Sequence, residues 1–155
     1  MTMRAVAYVL GVTVFVLALG DFYMPAAARS PLVRQLTQSS GATQPQDPQM
    51  SDDGSRAVYD DGSNVFVVDI TGGPPRGLTA VTTGQCDLPY PNADASVVVM
   101  VCDDALGGRN DDGNIEVVVH RGAGLDLVTS SGFGVENDLG NLSGDGARIV
   151  FTSNG

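Results

Sequence analysis

Hydrophobic residues in this chain come in short, dense runs. "RAVY" at 56–59, "VFVVDI" at 65–70, "VVVMVC" at 97–102 and "IEVVVH" at 115–120 are rich in Val, Ile, Tyr and Phe and are bounded by Gly, Asn and Asp. Runs of this length and composition with turn residues at both ends predict strands. Residues 56–59 and 65–70 form one predicted pair, and residues 97–102 and 115–120 a second. The runs are apolar on both faces, "VVVMV" most plainly, so these strands are expected to be covered on both sides, as a sheet stacked between like sheets would be. After residue 28 no stretch combines a helical apolar period with caps, and the Gly- and Pro-bearing clusters "TGGPPRG" and "SSGFGVENDLGN" mark connections. The fold class read from the pattern is all-β.

The pattern repeats. "SDDGSRAVYDD" starts at Ser51, "NADASVVVMVCDD" at Asn92 and "SGDGARIVFTSNG" at Ser143, so the starts are 41 and 51 residues apart. In each, a polar residue is followed two positions on by Asp53, Asp94 or Asp145, then by Gly54, Ala95 or Gly146, then by a strand-like run. A second marker keeps phase: Leu36-Thr37, Leu78-Thr79 and Val128-Thr129 precede the motifs, with 14, 13 and 14 residues from Thr to motif. The longer second unit carries its extra length in "ALGGRNDDGN", an insertion confined to one inter-strand connection, which repeat folds tolerate. About four short strands per unit of 40–50 residues is the signature of propeller blades. A sandwich also has many short strands, but gives no reason for a repeat of this length.

The pattern S-x-D-G-x-R-I-V-F-T-S, followed by D-G-N-I-E-V-V-V and a closing L-T, resembles the TolB-like β-propeller repeat, a WD-type relative found in exported bacterial proteins. The similarity covers residues 32–155 and is best at 51–79 and 142–155. The second unit departs from it, with Ala95 where Gly is usual and Pro91-Asn92 where Ser-Pro would stand, so its turn is expected to differ in shape. The resemblance implies that the Asp-Gly turn leads into the second strand of a blade and that the L-T strand is the outer, fourth one. Residues 29–49 then read as a clasp strand, at 32–37, and a flexible linker rich in Gln, Ser and Pro at 38–49. Residues 50–155 read as an incomplete propeller of about two and a half blades, starting near 51, 92 and 143. A closed ring takes about four to eight blades. The expectation is therefore a fragment, or a shortened reading frame, of a longer propeller, with open edges that invite self-association.

Residues 1–28 read differently from the rest. Arg4, an uncharged run at 5–19 and Ala26-Ala27-Ala28 before Arg29 follow the layout of a secretory signal peptide. A membrane anchor is the alternative, but a spanning helix takes roughly 20 apolar residues. The expected location is exported, periplasmic or extracellular. Export makes Cys86 and Cys102 a candidate disulfide, the alternative being two independent small strand residues.

The charge narrows the partners. There are eight Arg and no Lys against 16 Asp and two Glu, for a net charge of −10. Nucleic acid needs a positive field and is excluded on that ground, whereas a protein, peptide or glycan ligand is compatible. The Asp-rich skew itself points to many turns.

Few residues suggest chemistry. Asn110, Asp111, Asp112 and Asn114 surround Gly113, with Glu116 two positions on, and Asp103 and Asp104 nearby. Oxygen donors on a tight Gly turn suit calcium, while the alternative is a hairpin turn in which Gly takes positive φ. His120, the only His, ends an apolar strand beside Arg121 with no partner nominated by spacing. "GNLSG" at 140–144 is not a nucleophile elbow, because Ser143 falls one position late. No catalytic, phosphate-binding, dinucleotide or zinc motif is present. The function expected is a non-enzymatic exported binding scaffold. The alternative is the N-terminal propeller portion of an exported peptidase or hydrolase whose catalytic domain lies elsewhere.

Overall fold

A computed structural model of the chain describes residues 34–37 and 44–155; the leader expected at residues 1–28 and the start of the clasp strand lie outside them. The strands belong to the compact unit Gln35–Gly155. Among the described residues the structure is all-β, with ten strands in antiparallel sheets and no helix.

The first sheet is a four-stranded meander of β1 (Gln46–Met50), β2 (Arg56–Asp60), β3 (Val65–Asp69) and β4 (Arg76–Gly77). The second has the same order: β5 (Cys86–Pro91), β6 (Val97–Cys102), β7 (Glu116–Arg121) and β8 (Gly124–Leu127). The third consists of β9 (Asn137–Leu142) paired with β10 (Ile149–Ser153). Both hairpins expected from the apolar runs are present, as β2–β3 and β6–β7, with register Val58↔Val67 and Val99↔Val119.

Two expectations change. The stretch 38–49 expected to be a linker carries β1 at its end, because main-chain pairing to β2, Met50↔Ala57 and Gln49↔Val58, does not depend on apolar side chains. Arg34 to Thr37, the described part of the expected clasp strand, has no strand structure.

The repeated motif is one turn built three times. Ser51 Oγ accepts from the Arg56 N–H at 3.0 Å and donates to Asp53 Oδ1 at 2.7 Å, and Asp53 Oδ1 accepts from Ser55 N–H at 2.9 Å. Ser143, Asp145 and Ala147 repeat the set at 2.9, 2.6 and 3.0 Å. In the second copy Asn92 Oδ1 takes the place of the serine hydroxyl, accepting from Val97 N–H at 3.0 Å, and Asp94 accepts from Ser96 N–H at 3.0 Å. The fourth residue is left-handed in each, with φ of 69° at Gly54, 54° at Ala95 and 72° at Gly146. The turn at Ala95 therefore keeps the shape of the others, contrary to expectation. Two of the three local hydrogen bonds recur, those from the Val97 and Ser96 N–H groups, and the backbone carries Ala95 into a region alanine seldom adopts.

The second marker also has a physical role. Thr79 Oγ1 accepts from the N–H of Val65 at 2.9 Å, and Thr129 Oγ1 accepts from the N–H of Val117 at 2.8 Å. Each threonine satisfies the main chain at the start of a third strand, once the short fourth strand has passed.

The second sheet is packed on both faces, as its apolar runs require. Val98, Met100, Cys102 and Val118 join Val58, Val65 and Val67 of the first sheet in one core. Val99, Val101 and Val117, the alternate residues, form another with Leu142 of the third sheet. Burying a valine contributes about 1.5–3 kcal/mol, so these faces hold the three sheets together. The contact with the third sheet is tight: a Cβ on Gly140 would lie 2.9 Å from Val99 Cγ2.

Main-chain bonds add joints between sheets. Asp53 N–H donates to Ala93 O and Ala93 N–H to Gly144 O, both at 3.0 Å. At the opposite ends of the strands Cys86 N–H donates to Ser63 O at 2.8 Å and Asn137 N–H to Ile115 O at 3.0 Å. Arg56 Nη1 reaches Asp94 O at 2.8 Å, and Arg121 Nη2 reaches Gly146 O at 3.0 Å.

Candidate functional site

The first strands of the sheets, β1, β5 and β9, are neighbours in space, β5 touching both of the others. Their sequences, "QDPQM", "CDLPYP" and "NDLGNL", are poor in β-branched residues, and β1 is exposed along its length. Between them lies a cavity of about 270 Å³ lined by Asp47 and Gln49 of β1, Leu88 and Tyr90 of β5 and Asn141 of β9. Leu88 and Tyr90 keep 36% and 38% of their surface exposed. That is a large apolar exposure for residues inside a concavity, and concave sites with an apolar floor and a few polar groups are where ligands bind.

One end of these strands is acidic. Asp87 pairs with Val101 across the sheet, and Asp138 pairs with Thr152 at the corresponding position of the third sheet. The first sheet has Gln46 there, paired with Asp60. Burial, and then the charges of Asp60, Asp103, Asp47 and Asp138, push the Asp87 carboxyl up to about 6. Burial also raises Asp60 above the ordinary carboxylate range, although Gly62 N–H donates to its Oδ1 at 2.9 Å; Asp47 and Asp61 push it the same way. The Asp60 side chain is 1% exposed and its Oδ2 accepts no hydrogen bond.

Cys86 and Cys102 face each other across β5 and β6 and are joined, with an S–S distance of 2.02 Å. Both are buried. Asn137 and Ser153 hold the corresponding positions in the third sheet. There the Asn137 amide donates to Glu116 Oε2 at 2.9 Å and to Ser131 Oγ at 2.5 Å, a polar cluster in place of a covalent link.

The insertion at 105–114 uses its polar groups to hold itself together. Asn110 is buried and donates to Asp104 O at 3.2 Å and Asn114 O at 2.9 Å, and Asn114 donates to Val135 O at 2.8 Å. Asp104 Oδ1 accepts from Leu106 N–H at 2.8 Å and its Oδ2 from Thr83 Oγ1 at 3.1 Å, bonds that hold its carboxyl below the usual range. Asp103 Oδ1 accepts from Gln85 N–H at 2.6 Å. Asp111 and Asp112 are exposed, and Gly113 takes φ of 64°. Among the described residues no group of three or more His, Cys, Asp or Glu is placed to hold a metal ion.

His120 is buried, and that burial, with Arg76 nearby, lowers its pKa. It pairs with Val98 and Leu125 inside the sheet. The Ser143 hydroxyl is committed to its turn.

The groove and the acidic corner were not singled out from sequence, though Asp87 and Asp138, each the second residue of a first strand, were the signal available. No family model matches the chain, and no curated protein matches it.

Proposed function

We propose that this chain is part of an exported β-propeller-type repeat protein that acts as a binding scaffold, taking its ligand in the groove between the first strands of successive sheets. The observation that carries the reading is the groove itself: Leu88 and Tyr90 stand half-exposed in a concavity shared by strands of all three sheets. Three further features support the propeller. The four-stranded meander occurs twice with the same order, the motif turns are joined main chain to main chain, and first strands neighbour first strands, as blades set about a common axis would require. The Cys86–Cys102 bond agrees with an oxidising compartment.

The test compares the wild-type protein with Tyr90→Arg in crosslinking capture from the exported fraction, followed by titration of the purified partner. A saturable partner whose affinity falls by about tenfold or more in the variant is the expected result, since buried aromatic anchors dominate interfaces. A partner that binds both proteins equally would move the site elsewhere. Turnover of peptide or ester substrates by the purified chain would replace the scaffold with an enzyme.

A further inference from the structure

The groove is bordered by two β-bulges at matching places. The register of β1 against β2 slips between Gln46 and Gln49, and that of β5 against β6 slips between Asp87 and Tyr90. Asp47 and Leu88, each inside one of these slips, are left-handed, with φ of 44° and 48°, and both line the cavity. An L-residue held in that region costs free energy, and a bulge re-aims the side chains it carries. The polar side chains of the lining are Asp47, Gln49 and Asn141. Among the described residues these three make no side-chain hydrogen bond within the chain. The asparagines Asn64, Asn92, Asn110, Asn114 and Asn137, by contrast, are all bonded within the fold. Beside the three free polar groups stand the half-exposed Leu88 and Tyr90.

Resting on the groove as the binding site, we propose that its occupant is a neutral pyranose unit of a glycan. A pyranose ring has an apolar C–H face and a rim of hydroxyls, each both donor and acceptor. Its C–H face lies on Tyr90 and Leu88, the electron-rich face of the phenol ring meeting the C–H groups. A carboxamide offers a donor and an acceptor in one plane, so Gln49 and Asn141 can each serve a pair of neighbouring hydroxyls, and the Asp47 carboxylate accepts from others. A lipid tail or an apolar side chain would fill the same space but leave those three groups desolvated and unpaired. The cavity, at about 270 Å³, lies at the small end of ligand sites, which suits one ring better than a run of peptide. Among the lining residues Asp47 alone is charged, and the net charge of −10 repels an acidic sugar, so the unit selected is neutral.

The experiment is a saturation-transfer-difference NMR titration of the purified protein with four neutral trisaccharides: maltotriose, cellotriose, mannotriose and chitotriose. At least one is expected to bind saturably. Gln49→Leu and Asn141→Leu should each weaken that sugar by about tenfold or more, because a site built to bond hydroxyls loses its partners. Asp126→Asn, on the exposed surface of β8, should change it less than about twofold, and Tyr90→Arg should abolish it. A thermal melt checks that the variants remain folded, as expected for the exposed Gln49 and Asn141, and either one carries the test if the other unfolds. Saturable binding that Gln49→Leu and Asn141→Leu leave unchanged overturns the proposal, and if Tyr90→Arg also leaves it unchanged the groove falls as the site. Saturation by none of the four sugars, with a captured partner still lost in Tyr90→Arg, overturns the glycan occupant and keeps the groove. Saturation by none, with no such partner, overturns both.

Discussion

Ala95 sits at φ 54° where the other two motif turns have glycine. An L-residue in this region costs about 1–2 kcal/mol, and the second turn meets that cost with two of the three hydrogen bonds its siblings make. The glycines allow the cost to be measured. Nothing lies within 4 Å of a Cβ placed on Gly54, whereas one on Gly146 would lie 3.0 Å from Val97 Cγ2. Gly54→Ala is therefore expected to destabilise by about 1 kcal/mol, from backbone strain alone. Gly146→Ala should cost more, by the repacking of Val97. Urea denaturation of both variants checks the order. The Ser-x-Asp-Gly turn was legible in the sequence because its residues act locally, each on a neighbour within five positions. That Ala95 would join the same geometry was not legible, because propensity argues against it and only the completed turn overrides propensity.

At the scale of strands, the middle pairs were the most legible. Both are rich in valine, and the alternate residues of β6 and β7 fill two cores. The first strands were not, because "QDPQM", "CDLPYP" and "NDLGNL" carry Pro, Asp or Gly and are held by main-chain pairing. The fourth strands were marked by the Leu-Thr or Val-Thr that follows them. Thr79→Val keeps the shape and removes the acceptor for the Val65 N–H, a main-chain donor with a buried residue around it. Leaving it unmet should cost about 1–3 kcal/mol, read as a lower denaturation midpoint with an unchanged slope. The disulfide spans β5 and β6 with a sequence separation of 16. Replacing both Cys86 and Cys102 with Ala should cost roughly 3 kcal/mol by loop entropy, measurable by the same denaturation.

For the molecule as a whole, the aspartates fall into two populations, and they set opposite pH trends. Asp87, at about 6 when folded against an ordinary 3.8, binds its proton more tightly in the folded state. Its contribution to stability is complete below 3.8 and is lost as pH rises through about 6; Asp60 acts in the same direction. Asp53, Asp94 and Asp145 are lowered by hydrogen bonds in their turns, from Ser55, Ser96 and Ser143 first. Their contribution is present above the ordinary carboxylate value and is lost as pH falls through the depressed ones. The melting temperature should therefore rise as pH falls from 7.5 to about 5, then drop below about 3.5. Asp87→Asn should flatten the first limb and leave the second. None of this was legible beforehand, because it depends on which aspartates distant in sequence share a corner.

The motif turns are joined by the main chain of Asp53, Ala93 and Gly144. Those joints use atoms every residue carries, so a copied gene segment that encodes one unit can be placed beside another without evolving a matching set of side chains first. Duplication can lengthen such a protein in one genetic event, and the copies are then free to diverge, as Asn92 and Ala95 already differ from Ser51 and Gly54.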